Sequence, residues 1–385
     1  MQNNLRSKAI AMLLSFVMLA PNMGRSETTE ERVLSDVKKF RWGRLDGGIA
    51  PCPSLECRLI WASIAMAKGD VGGYARRVRA DGMREYARSQ GISQDFEKVG
   101  NLETLASVTP GHISKKFTVK FANTLPSGRE WSEDFKVDSR IFVEILVNNS
   151  AINVILDSGA TLTLPSGTVA AESLDLHNMP TKNTSGLGKT EINSLATAKK
   201  VSIGGVDIRN LMVKKKDGLT TGDMNAVGLL GYDLLLRFDR VTVDLREGLV
   251  KFNPAQVQHL RCSPMEMAID NDRLPAGITV DVLIDDTPFK ARIDTGANVD
   301  VVVHGKNTMP FKNGKPSLVI GVDSGGNASG FDTFEAKVSL DREAERHTVL
   351  RSPYPHADFE ATLGVKFFAG RSFTFDFKNQ QFCLD

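Results

Sequence analysis

The sequence predicts a mainly β protein of two like lobes behind a small α-helical N-terminal region, and two observations carry that prediction. From about residue 111 the chain becomes a succession of short alternating runs (KKFTVKF, RIFVEILVNN, INVILD, KKVSIGGVDI, RVTVDL) separated by Gly, Asn and Asp. Alternation of that length between turn residues marks strands with one buried face. Inside that body one frame occurs twice. A strand, a turn and a strand lead into Asp157-Ser158-Gly159-Ala160 and, later, into Asp294-Thr295-Gly296-Ala297. A hydrophobic Leu-Gly follows each at a similar interval, at Leu230-Gly231 and at Leu363-Gly364, and each copy closes with an Asp-containing strand, a turn and a last strand. A frame repeated in this way points to a tandem duplication.

Taken in order, residues 1–26 read as a secretory signal. Arg6 and Lys8 form a basic start, and residues 9–20 are an apolar run ended by Pro21. That run is too short to span a bilayer comfortably, so a cleaved signal is expected, with a retained anchor as the alternative. Gly24 and Ser26 supply the small residues for cleavage after Ser26. An exported protein is therefore expected, periplasmic or secreted, with no membrane span once the signal is removed. In residues 27–110, ECRLIWASIAMAKGD and YARRVRADGMREYARSQG predict two helices meeting at a Gly-Gly break. Such a hairpin would pack on the body or on a partner; a pro-segment is the alternative. Residues 111–258 are expected to form the first lobe and 259–385 the second, joined by NPAQVQHLRC.

Composition sets limits. With 48 basic against 46 acidic side chains and no basic block interleaved with aromatics, nucleic-acid binding is disfavoured. Four cysteines suit an oxidising compartment. Cys52 and Cys57 are close enough in sequence to close a small loop, and Cys262 and Cys383 open and end the last repeat. Four cysteines nevertheless allow three connectivities. No His stands at ligand spacing from either pair, so no metal and no cofactor is expected.

The chemistry resides in the repeated aspartates. Hydrolysis by water needs one group to take a proton from the water and another to give one to the substrate. Two carboxyl groups held close cannot both ionise cheaply, so they share a proton and can divide those roles. Gly159 and Gly296 let the backbone approach closely where a side chain would intrude. Over residues 138–385 the chain resembles the retropepsin-like aspartic peptidases and, more distantly, the pepsins, with the two Asp-Ser/Thr-Gly-Ala segments as signature. The resemblance implies acid-protease β-barrel lobes related by a pseudo-twofold axis, with Asp157 and Asp294 as the catalytic pair. Ser158 and Thr295 would cross-link the two loops, and Leu230-Gly231 and Leu363-Gly364 would buttress them. It also implies a flap over bound peptide, for which residues 183–191 (with Gly186 and Gly188) and 321–330 (with Gly325 and Gly326) are candidates. The expected function is aspartic endopeptidase activity on a protein or peptide substrate.

Some positions depart from the family pattern. Ala160 and Ala297 follow the Asp-x-Gly, as in retropepsins, where pepsins carry a hydroxyl residue; activity at mildly acidic to neutral pH is therefore expected. Thr362 replaces a more apolar residue, and Thr161 and Asn298 stand where retroviral enzymes carry an acidic residue that grips substrate backbone. No other catalytic frame is present: there is no His-Glu-x-x-His and no Gly-x-Ser-x-Gly. The competing reading is a peptide-binding or scaffolding protein using the same cleft. A duplicated chain favours one site built from its own two lobes in a monomer, with a homodimer as the alternative.

Overall fold

The computed structural model describes residues 28–41, 52, 54–91, 103, 112–122, 140–166, 169–184, 190–217, 226–255, 261–270, 273–305, 317–322, 328–340, 344–356 and 359–385. The signal expected over 1–26 lies outside them.

The chain enters as β1 (Phe117–Lys120) and then builds the first lobe from β2 (Phe142–Val147), β3 (Ser150–Leu156), β4 (Thr163–Pro165), β5 (Asp175–Thr184), β6 (Thr190–Ile203), β7 (Val206–Lys216) and β8 (Ala226–Leu230). Next come β9 (Arg240–Asp244), β10 (Leu249–Phe252) and β11 (Arg261–Ile269). The second lobe consists of β12 (Pro275–Ile284), β13 (Thr287–Asp294), β14 (Val301–His304), β15 (Ser317–Val322), β16 (Ala328–Ser339), β17 (Ala344–Ser352) and β18 (Ala361–Gly364), before β19 (Ser372–Asp376) and β20 (Gln381–Leu384). The first lobe's order is β2-β3-β8-β4-β7-β6-β5, with β2 also meeting β6; the second lobe's is β12-β13-β18-β14-β17-β16-β15, with β12 also meeting β16. The two orders correspond strand for strand. The frame read twice in the sequence is one topology built twice.

Local chemistry explains the match. Asn148-Asn149 turns β2 into β3 and Asp285-Asp286 turns β12 into β13, all four at positive φ (48° and 72°, 44° and 66°). Asn and Asp tolerate that region, and paired positive φ is the two-residue hairpin turn that suits twisted strands. Alternate residues then face inward: Val143, Ile145 and Val147 on β2, and Ile278, Val280, Val282 and Ile284 on β12 are buried.

The strands β1-β10-β9-β19-β20-β11 form one end of a 13-stranded sheet that runs on through the pairing of β11 with β12 into the second lobe. Within that end β9 lies antiparallel to β19, and Thr242 and Thr374 pair hydroxyl to hydroxyl at 2.6 Å. Arg240 Nε donates to Asp376 Oδ2 across the same pair of strands (2.7 Å). Cys262 and Cys383 lie opposite each other on β11 and β20 and form a disulfide. Cys52 and Cys57 do not: both are free thiols. The small loop they were expected to close is held by Ser54, whose side chain accepts from Cys57 N and caps the following helix (3.1 Å). Burial, then the neighbouring Cys52, pushes the Cys57 thiol up to about 12, so it stays protonated.

The N-terminal region holds α1 (Thr29–Lys38), α2 (Leu55–Ala67), α3 (Val71–Val78) and α4 (Met83–Ser89). The two expected helices are thus corrected. The break falls at Gly69 (φ +66°) and Asp70, and Gly72-Gly73 lie inside α3. Asp70 explains the shift: its carboxylate caps α3 by accepting from Gly73 N (2.8 Å), and a Cβ at Gly73 would collide with that carboxylate. A further break at Gly82 (φ +77°) separates α3 from α4. Val33, Val37, Cys57, Ile60, Ile64 and Ala67 belong to the same buried core as both lobes. Glu56 also meets Arg273 of the second lobe (2.8 Å), and Gly69 O accepts Met212 N of the first (3.0 Å).

Candidate active site

Each aspartate is the residue at which a buried strand ends in a loop. β3 runs parallel to β8 and β13 runs parallel to β18, so Leu156 lies opposite Leu230, and Asp294 opposite Gly364. Asp157 N donates to Leu230 O (2.9 Å), Tyr232 N to Ala160 O (2.9 Å) and Val365 N to Ala297 O (2.9 Å). Leu230 and Leu363 are fully buried. Glycine follows each for a steric reason: a Cβ at Gly231 would strike Ala160 O and Thr161, and one at Gly364 would strike Ala297 O and Val299 O. The Leu-Gly segments therefore lie directly against the aspartate loops.

The two loops grip each other. Ser158 N donates to Thr295 Oγ1 (2.9 Å) and Thr295 N to Ser158 Oγ (3.2 Å). Each hydroxyl then donates across to the strand of the other lobe: Ser158 Oγ to Ile293 O (2.9 Å) and Thr295 Oγ1 to Leu156 O (2.7 Å). Both side chains are fully buried, so these bonds are shielded from water. Asp157 Oδ1 accepts from Gly159 N (2.9 Å), and Asp294 Oδ1 accepts from Gly296 N (3.2 Å) and Ala297 N (3.1 Å). The glycines are obligatory: a Cβ on Gly159 would fall 2.5 Å from Asp294 Cγ, and one on Gly296 would strike the Asp157 carboxylate. The two carboxyls face each other. Burial first, then the charge of Asp294, holds the Asp157 carboxyl well above the usual carboxylate range, while Arg292 pulls it down.

Residues 143–234 match the family model described as Aspartyl protease. The likeness to aspartyl proteases is carried by this segment. The matched aspartyl protease segment contains Asp157, Ser158, Gly159, Ala160, Leu230 and Gly231. Comparison with curated proteins finds no match. Among solved structures, the aspartic proteinase from Irpex lacteus aligns at 9% identity over 70% of this chain and 97% of its own, with a TM-score of 0.45.

The structure brings together Asp157, Asp294 and all ten residues expected to support them. The two candidate flaps are hairpins, β5–β6 paired to Thr184 opposite Thr190 and β15–β16 paired to Val322 opposite Ala328. Their tips, with Gly186, Gly188, Gly325 and Gly326, lie outside the described residues. Among the described residues no group of three His, Cys, Asp or Glu could hold a metal, and no helix is long and apolar enough to cross a membrane.

Sequence reasoning missed three features. Arg292, two residues before Asp294 in a strand read as apolar, donates from Nη2 to Asp294 Oδ2 (2.7 Å). Asp233, two residues after Gly231 and fully buried, accepts from Leu162 N at 3.0 and 3.1 Å and so anchors the Asp157 loop from behind. Thr362 is polar because its hydroxyl bonds the buried His304 ring at Nε2 (2.9 Å). For Arg292 a signal existed: strand side chains alternate, so a residue two before the aspartate faces the same side.

Proposed function

We propose that the chain is an aspartic endopeptidase in which Asp157 and Asp294 share one proton and activate a water for attack on a peptide carbonyl. The observation that carries this reading is the reciprocal Ser158–Thr295 hydrogen bonding, which fixes two facing carboxyls from two lobes of one chain. Carboxyls so held cannot both ionise freely, and one then serves as base while the other serves as acid. No metal or cofactor enters this chemistry. A site completed within one chain supports a functional monomer, and the Cys262–Cys383 disulfide supports work in an oxidising compartment, the periplasm or the medium. The β5–β6 and β15–β16 hairpins are the elements that would close over an extended peptide.

A peptide-library digest read by mass spectrometry, with and without a statine-type inhibitor, tests the proposal. Asp157→Asn and Asp294→Asn should each lower cleavage by about 10³-fold while peptide still binds. Identical product profiles from wild type and both variants would sink the peptidase reading. A second reading, a peptide-binding protein, is favoured by one observation: the Asp294 carboxylate is already ion-paired to Arg292. Retained binding with no wild-type cleavage would establish it.

A further inference from the structure

The two halves of the site follow one topology but differ at the position two residues before each aspartate. In the first lobe that position is Ile155, buried against Leu229 with Phe142 and Ala160 packed around them. In the second it is Arg292. Its Nη2 lies 2.7 Å from Asp294 Oδ2, and both side chains are only 14% exposed. The guanidinium sits over the Phe359 ring at 4.6 Å, and Phe359 stacks on His356 at 4.4 Å. On the facing strand Gly277 (φ +113°) leaves room for the stem, since a Cβ there would fall 2.9 Å from Arg292 Cδ. The cation is thus built into the site by three elements.

Hydrogen bonding divides the pair in the same sense. Asp294 accepts two backbone N–H groups on Oδ1 and the guanidinium on Oδ2. Asp157 accepts Gly159 N and faces Asp294. Donors aimed at a carboxyl favour its ionised form, and a charge-assisted donor does so most. We propose that Arg292 is a positioning residue that assigns the roles of the dyad, holding Asp294 as the carboxylate base and leaving the shared proton on Asp157 as the acid. This rests on the peptidase reading for its chemistry, though not for its measurement.

The cycle balances on that assignment. Water oxygen bonds to the carbonyl carbon as its proton passes to Asp294, and the Asp157 proton passes to the carbonyl oxygen. On collapse the Asp294 proton goes to the amide nitrogen as the C–N bond breaks, and one hydroxyl of the diol returns a proton to Asp157. The starting protonation is restored. Among the described residues, the ionisable groups that Arg292 also influences include Asp157 and Tyr232 from the first lobe, and His304 on β14 and His356 before β18. Burial first, then neighbouring positive charge, holds both histidines below their ordinary value, His356 at about 4, so neither supplies a competing cation near neutral pH. Tyr232 is pushed well up by burial and donates its hydroxyl to Pro275 O. Among the described residues, Arg292 is the cation seen to act on both members of the pair.

The test is a pH titration of aspartate side-chain carboxyls by carbon-13 NMR on the full chain, assigned through Asp157→Asn and Asp294→Asn, in wild type, Arg292→Met and Arg292→Lys. In Arg292→Met the proton shared by the pair should be lost about one pH unit or more higher and should no longer reside on Asp157 alone but partly on Asp294, because the cation paired with Asp294 is gone. Arg292→Lys should recover most of the wild-type position. The alkaline limb of kcat/KM should move with it. A proton that stays on Asp157 alone with an unchanged titration in Arg292→Met, or a wild-type proton found on Asp294, overturns the assignment. Because the titration needs no turnover, it decides the role of Arg292 even if wild type proves inactive, an outcome that would sink the peptidase reading instead.

Discussion

Replacing Thr295 by Val removes one oxygen from a fully buried position with little change of shape. That oxygen accepts from Ser158 N at 2.9 Å and donates to Leu156 O at 2.7 Å, so both backbone groups lose their partner. A buried polar group left without a hydrogen bond costs about 1–3 kcal/mol, and two give about 2–6 kcal/mol. Partial relaxation of the two loops brings the expectation to about 2–4 kcal/mol. Ser158→Ala is the mirror experiment, stranding Thr295 N and Ile293 O. Once one change has parted the loops the second has less to lose, so the double variant should cost less than the sum of the singles. Denaturant unfolding with an unchanged m-value measures all three. A loss under about 0.5 kcal/mol for Thr295→Val would refute the claim that these bonds hold the loops together.

Removing the Cys262–Cys383 disulfide by Ser substitution at both positions releases a sequence separation of 121, and the chain-entropy model gives about 4–5 kcal/mol of lost stability. Matched denaturation of the variant and of reduced wild type checks this, and a loss under about 1 kcal/mol would contradict it. Burial raises the Asp233 carboxyl to about 6, against backbone donors and Arg237 that pull it down. A carboxyl raised on folding destabilises the fold progressively as pH climbs from its unfolded value, near 4, through 6, by about 3 kcal/mol in all. Asp233→Asn should therefore show a flatter stability curve between pH 4 and 6, and an unchanged slope would count against the assignment. Removing residues 1–111 strips buried side chains from a core shared with both lobes, so a chain starting at residue 112 is expected to aggregate. A soluble, cooperatively melting product would show instead that the helices are a removable pro-segment.

The β frame was legible because its signals are local and occur twice. Asn148-Asn149 and Asp285-Asp286 write the same turn, and the Asp-x-Gly and Leu-Gly segments fix which strands run side by side. The Cys262–Cys383 pair was legible for the same reason, since the ends of the last repeat become neighbouring strands. The helix breaks were misread because Gly72-Gly73 looks like a terminator until Asp70 is seen to cap α3 ahead of it. Cys52 and Cys57 misled because proximity in sequence says nothing about which group holds the loop, a task that falls to Ser54. Arg292 was hidden by its company: between Ala291 and Ile293 it reads as an interruption of a buried run, and only the alternation of the strand turns it toward Asp294.

Likeness of topology does not make the two halves of the site equivalent. In the first lobe Asp233 stands two residues beyond the Leu-Gly and holds Leu162 N of the aspartate loop. It is buried beside Arg237, a fully buried cation brought down to about 10 by burial and held up by Asp233 and by Asp70 of the helical region. In the second lobe the matching position is Lys366, and the loop closes on itself through Val299 N to Ala297 O (2.9 Å) and Gly364 N to Asp300 O (2.9 Å). The Asp157 loop is thus backed by a buried ionic layer that reaches into the N-terminal helices. The Asp294 loop is backed by its own backbone and carries the cation Arg292 beside its carboxylate. Burial of charge is costly unless it is paired, so each lobe carries its ionic group where a partner waits: Asp233 behind the loop in one, Arg292 beside the aspartate in the other. The asymmetry needed to make one aspartate an acid and its neighbour a base is consistent with that difference, for a strictly symmetric pair would give a shared proton no preferred site.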